Sequence, residues 1–152
     1  MKIDDTDRRI LRAWQKNPGA PISEISSEAG LSHTPCWRRM RKLKEGGVVI
    51  GQAILLDPAA LDLSVSVFAQ LRLKEHDEKT LIAFEKATRE CPQIVESFSM
   101  SGDSDYLIRV VATSIADYES FLKKTLLHLP GVASVNSSFA LKCIKLTTEL
   151  PI

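Results

Sequence analysis

The stretch Leu31 to Leu43, LSHTPCWRRMRKL, constrains what this chain can fold into more than any other. Cys36, Met40 and Leu43 recur at i, i+4 and i+7, the spacing of one helical face, and predict a buried stripe. Arg38, Arg39, Arg41 and Lys42 fall mostly on the other faces, and no acid interrupts the run from Ser32 to Lys44. Ser32 is a good N-cap residue, because its hydroxyl can accept a hydrogen bond from a first-turn amide. Pro35 follows early in the helix, where its missing N–H costs little. A helix built this way packs on its own domain and presents an acid-free cationic surface to phosphate.

The flanking chain fits a three-helix unit. Asp4 to Lys16 reads as a first helix, capped by Asp4 or Asp5, with Ile10, Leu11 and Trp14 inward. Asn17-Pro18-Gly19 ends it. Ile22 to Ala29 reads as a short second helix with Ile22, Ile25 and Ala29 inward and the small Ser26 where two helices cross. Gly30 suits the left-handed residue that ends a helix, and Leu31 anchors the turn. The third helix runs from Ser32 to about Glu45, and a Gly turn before a basic third helix is the helix-turn-helix pattern. Gly46-Gly47 stops it. Val48 to Leu56 then reads as an extended hinge strand, and Asp57-Pro58 as a turn.

From Ser64 the period changes to two. Val65, Val67, Ala69, Leu71 and Leu73 alternate with Ser66, Phe68, Gln70 and Arg72, as in a half-buried strand. Asp77 to Glu90 follows as a helix, with Leu81, Phe84 and Ala87 inward. Ile94 to Met100 and Tyr106 to Ala112 are strands, Ile115 to Leu129 a helix with Tyr118, Phe121, Leu122, Leu126 and Leu129 inward, and Val132 to Leu146 a long last strand. The order β-α-β-β-α-β is the split βαβ, ferredoxin-like arrangement. Its sheet has a second face, with Val65 and Val67 or Phe68 and Phe139 to hide, which predicts packing against another copy. The fold class is therefore α+β. Residues 1–50 form the helix-turn-helix domain, 51–63 a hinge strand and linker, and 64–152 a ferredoxin-like effector-binding and oligomerisation domain.

Charge separates these parts. The net charge of +1 argues alone against nucleic acid. Yet residues 1–50 hold ten Lys or Arg against six Asp or Glu, a balance of +4, and the other 102 residues hold ten against thirteen, a balance of −3. That asymmetry joins a basic binding module to a mildly acidic one. No apolar run reaches membrane-spanning length, and the N-terminus lacks the apolar core of a secretory signal. Cys36, Cys91 and Cys143 are odd in number and widely spaced, which fits free thiols in a reducing cytoplasm. Neither a Cys/His metal pattern, nor a Ser/His/Asp set, nor a phosphate loop is present. The three imidazoles are His33, His76 and His128, so an enzyme is not expected.

Both halves resemble the Lrp/AsnC (feast/famine) transcriptional regulators of bacteria and archaea. The resemblance rests on Asp4 to Leu11, Gly30-Leu31-Ser32, Thr34-Pro35-Cys36, Arg38-Arg39 and Gly46 to Gly51. In the second half it rests on Ser101-Gly102-Asp103-Ser104-Asp105-Tyr106 and Leu129-Pro130-Gly131-Val132. It implies a winged-type helix-turn-helix joined to a regulatory domain that dimerises through its sheets, with dimers commonly forming octameric or hexadecameric discs. It also implies an amino-acid effector seated between dimers. There the loop Met100 to Tyr106 would hold it, and Ser137, Ser138 and Phe139 of a neighbouring subunit would complete the site. The chemistry agrees. Asp105, or Asp103, can take an ammonium, and Ser101, Gly102, Ser137 and Ser138 offer donors to a carboxylate. On double-stranded DNA, Ser32, His33, Thr34 and Arg38 lie nearest the helix end that faces bases, and Arg39, Arg41 and Lys42 suit phosphates. Trp37 stands where a smaller residue is frequent and is expected to pack inward. Asp62-Leu63-Ser64 lacks the glycine many relatives carry before the first strand. The expected function is a cytoplasmic, sequence-specific regulator tuned by an amino acid, without metal or other cofactor. The alternative is a nucleoid-type architectural protein that wraps DNA with weak sequence preference.

Overall fold

The computed structural model describes residues 2–152, which form two units. The first comprises residues up to Leu55 together with Lys145–Ile152, and the second spans Leu56–Ile144. The return of the last eight residues to the first unit departs from the expected single block after residue 64.

The first unit holds α1 (Asp5–Lys16), α2 (Ile22–Glu28) and α3 (His33–Glu45). Asp4 caps α1 by accepting from the Asp7 amide, and Asp7 accepts back from the Asp4 amide, so two otherwise orphaned donors are satisfied together. α2 closes in a Schellman turn. Leu31 N donates to Ser26 O, Gly30 N donates to Ser27 O, and Gly30 takes φ 67. α3 closes the same way, through Val48 N to Leu43 O, Gly47 N to Lys44 O, and Gly47 at φ 72. These turns converge Ile10, Ala13, Trp14, Ile25, Ala29, Cys36, Met40 and Leu43 into one core. Leu11 is only partly buried at its margin. The hinge strand does not form. Residues 48–56 enter no ladder among the described residues, so the helices carry no wing within this chain. Their backbone edges find no partner strand here.

The second unit opens with a 3-10 turn, Ala59–Leu61, closed by Asp62 at φ 57. Then come β1 (Val65–Leu73), α4 (Glu78–Glu90), β2 (Ile94–Ser99), β3 (Tyr106–Ala112), α5 (Ile115–Lys124), a 3-10 turn (Leu126–His128) and β4 (Val132–Phe139). The four-stranded sheet has the order β2-β3-β1-β4 with every pair antiparallel. Val67, Ala69, Leu71, Tyr106, Ile108 and Val110 form the covered face and pack with Phe84, Tyr118, Phe121 and Leu126.

Three expectations shift. The second helix of this unit stops at Lys124, because β-branched Thr125 leaves the helical region at φ −125, and a 3-10 turn carries the chain onward. The last strand ends at Phe139. Its partner β1 begins at Val65, and after the Ala140 amide bonds to Ser66 O no ladder remains to extend. Finally, Val67 and Phe139 are not on the open face. Val67 is fully buried, and Phe139 meets the Tyr118 ring edge-on at 5.5 Å. The open face is instead Phe68, Phe98 and Leu107 beside an Arg109–Glu96 ion pair of 2.6 Å.

Candidate DNA interface and effector site

The surface of α3 is sorted by what its cations already hold. Arg39 Nη1 lies 2.8 Å from Asp4 and 2.8 Å from Asp7, and so clamps α3 onto the capped start of α1. It is spent inside the unit, contrary to its expected place on phosphate. The same contact lowers the Asp4 carboxyl, second to the Asp7 amide, and raises Arg39 through Asp7 and then Asp4. Arg41 pairs with Glu45 at 2.7 Å and lies 5.9 Å from the centre of the Trp37 ring. Trp37 is therefore exposed and stacked under a guanidinium rather than packed inward. Arg38 and Lys42 make no ion pair among the described residues. With Lys2 they border a hollow of about 380 Å³ beside Asp4, Asp7 and Arg39.

At the front of α3, Ser32, His33 and Thr34 are exposed. Ser32 does not cap: its side chain makes no bond to the helix. The reason is Pro35, which stands at the third helical position and has no N–H to offer. The Ser32 hydroxyl is left facing solvent. Cys36 is fully buried and its Sγ lies 3.8 Å from Met40 Sδ. Burial raises its thiol pKa, so it acts as core.

The expected effector residues divide by location. Met100, Ser101, Gly102 and Asp103 are exposed on the β2–β3 hairpin, with Gly102 at φ 114. Asp105 braces that hairpin. Its Oδ2 accepts from the Leu73 amide at 2.7 Å, its Oδ1 meets His76 Nε2 at 2.8 Å, and its own amide donates to Leu71 O. The Leu73 bond, then His76, hold the Asp105 carboxyl below its usual range. Both carboxylate oxygens are thus engaged, and Asp103 is the carboxylate that faces solvent. Tyr106 turns inward under α4 at 4% exposure and donates to Glu85 Oε1 at 3.1 Å. Burial and that carboxylate push its phenol up to about 12. Ser137 hydrogen-bonds the Tyr118 hydroxyl, while Ser138 opposite Phe68 faces the open side.

One chain does not bring these groups together. The hairpin follows edge strand β2, and Ser137–Phe139 lie on the opposite edge strand, β4. Three strand spacings of about 4.8 Å separate the two edges. Among the described residues no three His, Cys, Asp or Glu side chains converge to hold a metal, and no helix is long and apolar enough to cross a membrane. Sequence reasoning missed Gln15, discussed below, and the engagement of His76. Neither carries a spacing signal, because both contacts join residues remote in the chain.

Comparison with known proteins agrees with both halves. Residues 3–44 match the model of the AsnC-type helix-turn-helix domain, and residues 66–150 that of the Lrp/AsnC ligand binding domain. The Bkd operon transcriptional regulator of Pseudomonas aeruginosa is 36% identical, covering 99% of each chain. The DNA-binding transcriptional activator DecR of Escherichia coli is 33% identical over 99% of each. A solved AsnC family regulator from Agrobacterium tumefaciens superposes with a TM-score of 0.92 at 41% identity, covering 98% of this chain and 97% of that one. A Neisseria meningitidis transcriptional regulator in its L-Met complex gives 0.93 at 33% identity, over 99% and 97%. The α+β chain with an N-terminal helix-turn-helix and a C-terminal ferredoxin-like domain belongs to the Lrp/AsnC family of DNA-binding transcriptional regulators, which are not enzymes.

Proposed function

We propose that the chain represses or activates transcription by placing α3 in the major groove. Ser32, His33, Thr34 and Arg38 then address base edges, Lys42 and Arg41 hold phosphates, and Arg39 braces the helix instead of touching DNA. The observation that carries this is the pairing pattern on α3: Arg38 and Lys42 are exposed and unpaired among the described residues, while Arg39 is consumed by Asp4 and Asp7. Arg41 reaches phosphate only by exchanging its contact with Glu45, an exposed pair that costs little to break.

The ligand-binding domain takes an amino acid, as the L-Met complex of the Neisseria relative suggests for this fold. Its site lies between copies of the chain. The hairpin Met100 to Asp103 of one copy meets Ser137, Ser138 and Phe139 of another, since those groups lie on opposite edges within one copy. Asp103 receives the ammonium, and Asp105 positions the hairpin. Dimers join through Phe68, Phe98 and Leu107 on the open sheet face and assemble further into octamers. The regulator works in the cytoplasm, where the DNA it binds lies.

Competition binding tests the DNA reading. Arg38→Ala is expected to weaken an operator and relax preference at one base pair, by about 1–3 kcal/mol, while Lys42→Ala weakens all sequences alike. Equal losses on operator and random DNA for both variants remove Arg38 from base readout.

A further inference from the structure

Between α4 and the edge strand β2 lies an open groove of about 430 Å³, apart from the exposed hairpin tip. It exists because α4 does not reach over β2. Ser97 and Ser99 sit on the helix-covered side of the sheet, opposite Ile108 and Tyr106, yet both are exposed. The wall is α4, with Glu85, Thr88 and Arg89 one turn apart. Thr88 is 4% exposed, borders the groove, and its Oγ1 has no hydrogen-bond partner among the described residues. A buried hydroxyl left unmatched costs free energy that a ligand or ordered water in the groove recovers. It is the one such atom among the described side chains.

The chemistry of the occupant follows from the lining. Glu85 accepts the Tyr106 hydroxyl on Oε1 and faces Arg89 at a loose 3.3 Å on Oε2, so the carboxylate keeps free lone pairs toward the groove. Glu96 adds a second acid at the rim, and Arg89 is the sole cation of the lining. Two carboxylates against one guanidinium favour a cation. Three aliphatic hydroxyls offer acceptors to its N–H groups, and Ile94 and Val95 offer a short apolar wall. We propose that this groove between α4 and β2 is a second small-molecule site, which takes a primary ammonium on a short aliphatic chain. Glu85 holds the charge and the Thr88 hydroxyl completes the ammonium's hydrogen bonds. The ammonium is that of a free alkylamine or of an amino acid, and Arg89 separates the two, because only the latter brings a carboxylate.

The test uses the full-length chain in calorimetry and thermal shift with three probes: n-butylamine, L-norleucine, and N-acetyl-L-norleucine, which lacks the ammonium. All are run in an Asp103→Ala background, so that the hairpin does not contribute. The expected result is binding of one ammonium probe per chain and none of the acetylated one. Glu85→Gln, which keeps an acceptor for Tyr106, weakens that binding at least about tenfold, the factor carried by one charge-assisted hydrogen bond. Thr88→Val also weakens it, yet raises the midpoint of the ligand-free protein by roughly 2–4 °C, since an unmatched buried hydroxyl is gone. If Arg89→Ala weakens norleucine alone, the natural ligand is an amino acid. If it spares both probes, the ligand is a free amine. Undiminished binding in both Glu85→Gln and Thr88→Val overturns the site, as does equal binding of the acetylated probe or no binding at all. A change of oligomeric state in Glu85→Gln without any probe also overturns it, because the groove would then be a contact between copies.

Discussion

Arg39 shows how much one residue's environment decides. By position it belongs to a basic helix face. By contact it is the bond between α3 and the capping box of α1. Arg39→Ala is therefore expected to destabilise the first unit by about 1–2 kcal/mol, because it strands the largely buried Asp7 carboxylate, with only a partial discount for the exposed Asp4. Chemical denaturation measures this, and DNA contacts should fall only through the loss of folded protein. The pH dependence follows from signs. Asp4 is held below its ordinary value of 3.8 by the Asp7 amide and then by Arg39. Its contribution is present above that value and is lost as pH falls through the lowered one. Arg39→Ala should weaken that acid loss without abolishing it, since the amide bond remains. Asp105 obeys the same rule on the other unit, and Asp105→Ala leaves the Leu73 amide unmatched at a cost of about 1–3 kcal/mol. An unchanged midpoint would mean that the hairpin does not depend on this brace. None of this was legible in the sequence. Spacing placed both aspartates of the loop near a ligand, but only geometry shows that Asp105 is committed to Leu73 and His76 while Asp103 is free. Asp62 was partly legible: the missing glycine before β1 falls at a left-handed residue, a conformation that aspartate tolerates better than most side chains.

Elements were legible where local chemistry determines them. The two Schellman turns follow from Gly30 and Gly47, and the inward rows of α1, α3 and β1 follow from their periods. Ends set by tertiary partners were not. Val48 to Leu56 and residues 140–146 have strand-like composition, but a strand exists only against a ladder, and β1 is too short to offer one beyond Ser66. Both stretches keep bare apolar side chains, including Ile50, Ile54, Leu141 and Ile144. The tail beyond them is held differently. Gln15 on α1 donates through Nε2 to Leu150 O at 2.8 Å and accepts from Leu150 N at 3.0 Å, so one amide side chain imitates a strand neighbour. Gln15→Leu removes both bonds. It should free residues 145–152 to proteolysis and amide exchange while costing the unit no more than about 1 kcal/mol, because the contact is exposed. Unaltered protection of the Leu150 amide would show that other contacts hold the tail.

At the scale of the whole molecule, charge and apolar surface lie on different units. The basic excess belongs to the helical unit, and the larger unburied aromatic surface to the open sheet face with Phe68 and Phe98. A single α3 offers few base contacts, and its affinity depends on phosphate neutralisation and falls steeply with salt. Specificity on a long operator requires two copies at fixed spacing. The proposed pairing through Phe68 and Phe98 therefore predicts a coupled loss. Phe98→Asp buries an unpaired charge if the sheets meet, and sits harmlessly in water if they do not, since Phe98 is 55% exposed in one chain. The expected outcome is a folded monomer by sedimentation, with an unchanged far-ultraviolet spectrum. Its operator affinity should drop by at least about a hundredfold, and the slope of log affinity against log salt should roughly halve, because half the phosphate contacts are gone. Random-sequence DNA should lose far less, which distinguishes lost pairing from a damaged helix-turn-helix. A Phe98→Asp protein that keeps its assembly and its salt slope would move the interface off this face of the sheet.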